Sequence, residues 1–261
     1  MVKDLRRLAL ASLAFAFLLS PLAATRADWA VKSLERQPGA GGAIEYRRYS
    51  LGADSDREVE LQLALFSSKS ASLRVIDQPA SGRRLAEVMS GDNFLAGVNG
   101  GYFDPQGEPV GLLISGGKTI APFRKARLLS GVLAARPGSV EIFRASEFPR
   151  QRSWREAVQC GPFLVDQGKA VVGLDGERSA RRTFVLTTTD GRAALGYCEP
   201  VSLARLAKIL TALGPLEVAR ALNLDGGSSS AFWCATKEKK VSISEFKKVR
   251  DFVAIVPRSD R

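Results

Sequence analysis

The chain predicts an α+β fold: a strand-rich mixed sheet core with several hairpins and one main amphipathic helix. Three observations carry this. Short runs alternating apolar and polar residues recur from IEYRRYSL (residues 44–51) to DFVAIV (251–256), the period-two signature of half-buried strands. Glycine-containing turn pairs separate many of them at hairpin spacing. A single segment, SLARLAKILTAL (202–213), places apolar residues at helical spacing, at Leu203, Leu206, Ile209, Leu210 and Leu213, and Gly214-Pro215 closes it.

Taken in order, residues 28–42 read as a lead-in whose PGAGG end is a flexible connector. IEYRRYSL, VELQLALF and SLRVID are strands, RRLAEVM (83–89) is a short helix, and FLAGVNGGYF (94–103) is a strand that breaks at its glycines. VGLLISGGKTIAPF turns at Gly116-Gly117 and GVLAARPGSVEIFR at Pro137-Gly138. SWREAV (153–158) is read as a short helix, and CGPFLVDQGKAVV as a hairpin turning at Asp166–Gly168. RTFVLTTTDGRAALGYCE is the clearest hairpin, with Asp190-Gly191 at its turn. VARALNL, SSAFWC and DFVAIV complete the strands.

Residues 1–27 have the layout of a secretory signal peptide: Lys3, Arg6 and Arg7, then LALASLAFAFLLSPLAA, then a small-residue site at Thr25-Arg26-Ala27. Pro21 interrupts an apolar run near the lower length limit for spanning a bilayer. Cleavage is therefore expected, leaving residues 28–261 as a single domain without a stable membrane anchor, periplasmic or secreted. Removal of the leader takes away four basic residues and one acidic residue, which leaves a net charge of +8. That modest excess favours an anionic substrate or surface. The cations are scattered, and no basic-aromatic motif points to nucleic acid.

The composition excludes several chemistries. With no histidine in the chain, Ser-His-Asp and Cys-His catalysis and histidine zinc sites are absent. Cys160, Cys198 and Cys234 lack metal-site spacing. In an oxidising compartment Cys198 and Cys234 are the expected pair, with Cys160 free.

Three segments gather glycine and polar residues where an apolar strand ends: GVNGGYFD (97–104), the pair QCGPFLVDQGK (159–169) and GERSARRTFV (176–185), and NLDGGSSS (223–230). Each reads either as an ordinary turn or as one wall of a shared pocket. Glycines let backbone approach a ligand, and hydroxyls with free amides suit phosphate or sugar oxygens. In this order, NGGYF, GP-LV--GK, R-RTFV and NLDGGSSS resemble the phosphodiester glycosidase family, over roughly Ala43 to Val256. The resemblance implies an extracytoplasmic hydrolase cutting between a sugar anomeric carbon and a phosphodiester, with a phosphorylated sugar or envelope glycan as substrate. It implies pocket positions at Asn99, Gly100, Gly101, Asp104, Arg182, Thr183, Asp225, Gly226, Gly227, Ser228 and Ser229. Cys160 departs from the small residue more usual in the family, which bears on pocket shape.

The residue chemistry agrees. A phosphate monoester, with its second pKa of about 6, leaves without much protonation, so no histidine is needed. Arg182 offers a planar fork to phosphate oxygens, and the Gly226–Ser229 backbone offers amide donors. Asp225 and Asp104 are the carboxylates available to the sugar side. Each has a local alternative, Asp225 as an Asx-turn residue and Asp104 in a Asp-Pro turn. Asn99 suits sugar hydroxyls or a hairpin turn, and one of Tyr102 and Phe103 suits a stacking wall. Arg178 and Arg181, and the basic stretch Lys237–Arg250, read as solvated. No cofactor is required by this chemistry, and Asp225 with carbonyl groups leaves room for Ca2+. A non-catalytic phosphoglycan-binding module, and a phosphodiesterase cutting P–O instead of C–O, are the other readings.

Overall fold

The described part of the computed structural model comprises residues 29–53, 57–79, 82–91 and 93–258; the segment read as a signal peptide lies outside them. In chain order the first strands are β1 (Ala30–Pro38), β2 (Ile44–Gly52), β3 (Val59–Ser67) and β4 (Ala71–Asp77), followed by the short helix α1 (Leu85–Gly91). Then come β5 (Ala96–Asn99), β6 (Leu113–Ser115), β7 (Lys118–Ala121), β8 (Gly131–Arg136), β9 (Ser139–Arg144) and β10 (Glu156–Cys160). They are followed by β11 (Phe163–Asp166), β12 (Lys169–Ala170), β13 (Ala180–Thr188), β14 (Arg192–Val201) and helix α2 (Leu203–Thr211). The chain closes with β15 (Val218–Asn223), β16 (Phe232–Ala235), β17 (Lys240–Ile243) and β18 (Asp251–Pro257).

These strands form three sheets, ordered β1-β2-β3-β14-β13-β15-β11-β12, β7-β6-β10-β8-β9 and β17-β16-β5-β18-β4. Among the described residues every ladder between these strands is antiparallel. The expected mixed sheet and α+β class are thus corrected to a mostly-β, antiparallel architecture with two short helices. Short hairpin connections cannot bring the next strand back parallel; that needs a crossover of a dozen or more residues.

The large sheet is buried on both faces. Along β3, Leu61, Leu63 and Leu65 join α2 residues Leu206, Ile209 and Leu210 in one core layer, while Ala64 and Phe66 enter the layer shared with the other sheets. Alternation puts successive side chains on opposite faces, so an apolar run such as VELQLALF serves two cores. Ser202 caps α2, its hydroxyl accepting from the Arg205 amide.

Three local expectations change. The lead-in is a strand, β1 pairing with β2 along most of its length, and PGAGG, read as a flexible connector, is a defined turn through Gly41 and Gly42 at φ of 73° and 72°. Its side chains are largely solvent-facing, so hydrophobic periodicity could not reveal it. SWREAV is not a helix, because Glu156–Cys160 lies between β6 and β8. There Glu156 accepts from the Val75 amide at 2.9 Å, and Trp154 joins Phe143 and Phe148 in an aromatic cluster. Finally, all three cysteines are free and buried. Cys198 faces the α2 layer and Cys234 the layer between sheets, so the large sheet's two faces hold the thiols apart.

Candidate functional site

The three glycine-rich strand ends do meet. β5 ends at Asn99, which is opposite Phe252 on β18, and β13 sets Phe184 opposite Asn223, so the chain leaving β15 enters Leu224-Asp225 beside β5. Asn99 joins them. Its Nδ2 donates to Asp225 O at 2.7 Å, and its Oδ1 accepts from Thr183 Oγ1 at 2.7 Å and from the Ala231 amide at 3.0 Å. Both Asn99 and Thr183 are fully buried. Their polar atoms hold protein to protein, joining the three strand ends.

Close approach requires glycine at position 100. The Gly100 carbonyl accepts from Asp225 N at 3.1 Å and its amide donates to Asp251 O at 2.9 Å. A Cβ on Gly100 would stand 1.8 Å from Asp251 Oδ1. That same oxygen accepts from Gly101 N at 3.1 Å, while Asp251 Oδ2 is buried without a partner. Burial, with Asp77 and Asp225 adding repulsion, pushes the Asp251 carboxyl up to about 7, against the opposing pull of the Gly101 amide and Arg250. Sequence reading missed Asp251; the only signal was a carboxylate opening an otherwise apolar strand.

Asp225 is half-buried at the centre. Its Oδ1 accepts from the Gly226 amide at 3.0 Å. Burial raises its pKa above the ordinary carboxylate range, while the neighbouring Ser229 hydroxyl, Lys247 and the Gly226 amide pull it back. The Ser229 hydroxyl nevertheless lies outside good hydrogen-bond geometry and has no partner. Gly227 opens a 3-10 turn, Gly227–Ser229, at φ of 66°, a conformation that favours glycine. The amides of Gly227 and Ser228 find no acceptor among the described residues.

Arg182 stands beside this turn. Its Nε donates to Val201 O at 2.9 Å and its Nη2 to Arg178 O at 2.6 Å. Nη1 is 3.8 Å from where a Cβ on Gly226 would be. The guanidinium is buried, and no carboxylate pairs with it among the described residues. Burial and the repulsion of Arg178 lower its pKa, opposed by Asp175. Arg181, read as solvated, instead straps the Gly-Ser loop. It donates to Gly227 O at 3.3 Å, Ser230 O at 2.8 Å and Ser244 O at 3.1 Å.

Two expected residues also have partners within the protein. Asp104 Oδ1 accepts from the amides of Gln106 and Glu108 at 2.9 and 2.8 Å, an Asx turn that closes its own loop. Tyr102 OH donates to Gly161 O at 2.5 Å, so its phenol ties the second segment to the first. Lys237–Arg250 is not simply a solvent face. The Phe246 and Lys247 amides bond Ser228 O at 2.7 and 3.3 Å, and Arg250 is buried against Asp77 at 2.8 Å. No cluster of three or more Asp, Glu, Cys or His side chains suited to a metal occurs among the described residues. A surface cleft of about 590 Å³ lies elsewhere, beside Lys125, Arg127, Arg144 and Arg150.

The arrangement joins an oriented carboxylate, two free amides and an unpaired guanidinium within one loop cluster. Comparison with known proteins accords with it. A family described as phosphodiester glycosidase matches residues 92–256. The catalytic domain of zebrafish N-acetylglucosamine-1-phosphodiester alpha-N-acetylglucosaminidase, auto-inhibited by its pro-peptide, is similar in fold. The TM-score is 0.60 at 19% identity, covering 87% of this chain and 88% of that one. A hypothetical protein from Synechocystis gives 0.61 at 14% identity, over 83% of this chain and 62% of its own. No curated protein sequence matches. With the family's match running from the residues before β5 to the end of β18, through every strand end that builds the cluster, the chain belongs to the phosphodiester glycosidase family.

Proposed function

We propose that this protein is an extracytoplasmic hydrolase that cleaves the bond between a sugar anomeric carbon and a phosphodiester. The observation that carries the reading is the Asp225–Ser229 turn: a half-buried carboxylate beside two amides without acceptors and the unpaired Arg182. Water attacks the anomeric carbon as the C–O bond to phosphate breaks. Asp225 takes the water proton, and its raised pKa makes it a better base than a solvated aspartate. The bonding electrons pass to the phosphate oxygen, which leaves as a phosphate monoester and needs no proton at neutral pH. Arg182 Nη1 and the Gly227 and Ser228 amides take the charge that develops there. Asp104 is assigned no direct part in this reading, because its Oδ1 already accepts from two amides of its own loop. The signal-peptide layout of residues 1–27 supports action outside the cytoplasm.

The test is hydrolysis of N-acetylglucosamine-1-phosphodiesters in oxygen-18 water. Label in the released sugar supports C–O cleavage. Label in the phosphate would make the protein a phosphodiesterase, and ligand bound but returned intact would make it a binding module.

A further inference from the structure

Phe246 is conspicuous because 75% of its surface is exposed, yet the residue is firmly held. Its amide donates to Ser228 O at 2.7 Å. One face of its ring lies on Arg181, whose Cζ is 3.9 Å from the ring centroid. Arg181 is itself fixed by Gly227 O, Ser230 O and Ser244 O. An aromatic ring immobilised on a cation, with its remaining surface in water, gains nothing for folding from that exposure; it is a preformed stacking surface.

Lys247 extends the same rim. Its amide donates to Ser228 O at 3.3 Å, and its Nζ is 4.7 Å from the centroid of the Phe103 ring. Lys247 lies near enough to Asp225 to oppose the rise in that carboxyl's pKa. It forms no ion pair among the described residues. An ammonium without an ion-pair partner and an open ring face therefore adjoin the turn that offers amides to an anion.

We infer that Phe246 and Lys247 form a clamp for the part of the substrate beyond the sugar. Lys247 meets the phosphate charge, and the open face of Phe246 receives a flat or apolar group esterified to that phosphate. This rests on the phosphodiester reading above for the identity of the anion. The clamp makes Phe246 a determinant of which leaving group is accepted, without a part in bond breaking.

Calorimetric titration with phenyl phosphate and methyl phosphate tests the clamp without turnover, because the two monoesters differ only in the substituent. Wild type is expected to bind phenyl phosphate about five- to tenfold more tightly. Phe246→Ala should abolish that preference, Phe246→Trp should keep it, and Lys247→Gln should weaken both ligands alike. If wild type shows the preference and Phe246→Ala loses it, the clamp stands even where no sugar phosphodiester is hydrolysed, and the glycosidase reading alone falls. A preference that survives in Phe246→Ala, or is absent from wild type, overturns the clamp even in an active hydrolase. Failure of both monoesters to bind overturns the clamp.

Discussion

Asp104 and Asp225 begin as equals in the sequence, each a carboxylate after an apolar strand and close to glycine. Structure separates them. Asp104 points into its own turn and accepts from Gln106 and Glu108. Asp225 is held from behind by Asn99 and Gly100 through its backbone, so its carboxylate is not needed to close the chain. It is also partly desolvated, whereas the Asp104 loop lies towards solvent. A functional carboxylate is thus told from a structural one by which of its atoms the fold consumes. Arg181 and Arg182 teach the same lesson on adjacent positions of β13: one spends its guanidinium on three loop carbonyls, the other keeps Nη1 free.

The sharpest way to break the first comparison is to neutralise each aspartate. Asp225→Asn is expected to lower sugar release about 10³-fold by loss of the base, with the melting temperature kept or raised. Asp104→Asn should change turnover less than about tenfold and act mainly on stability, since an Asn also closes Asx turns. Equal losses of turnover in the two variants would sink the assignment. The same comparison has a pH signature. Because Asp225 must be ionised and its pKa is raised, wild-type turnover should fall on acidification at a pH above the ordinary carboxylate range.

Asp251 sharpens the role of burial. An unfolded aspartate ionises near pH 4, whereas Asp251 holds its proton to about 7. Over that interval the folded state binds more protons than the unfolded one, so stability declines as pH rises. Asp251→Asn should flatten a slope of about 4 kcal/mol between pH 4 and 8, measured by denaturant unfolding across pH. An unchanged slope would mean that the burial of Asp251 carries no such cost.

A smaller effect tests the arginines. Arg182→Ala should cost about 10²-fold in kcat/KM, and Arg182→Lys, with charge but no fork, should recover part of it. Arg181→Ala should instead lower the melting temperature as the Gly-Ser loop loses its strap. The least change is expected for Thr183→Val, which leaves Asn99 Oδ1 with the Ala231 amide alone and should cost about 1 kcal/mol of stability.

How much of this could be read beforehand depended on whether a residue's neighbours were local. IEYRRYSL, VELQLALF and the 202–213 helix carried their own periodicity, and Asp190-Gly191 its own turn. NGG and LDGGSSS announced a close backbone approach, which Gly100 and Gly227 realise by contact and by positive φ. The polar edge strand β1 carried no period, and SWREAV suited either state until β6 and β8 supplied its ladder.

The sequence by itself determined the strand-rich character, the glycine-bearing strand ends and the likeness to a family, because these depend on side-chain alternation and backbone freedom within a few residues. Tertiary structure alone decided that the sheets are antiparallel, that Cys198 and Cys234 face different core layers, and that Asn99 and Asp104 spend their polar groups on the protein. It also brought Asp251, Phe246 and Lys247 beside segments far from them in the chain. Burial, charge and hydrogen-bond occupancy belong to pairs of residues, and the pairs at this site are made by folding.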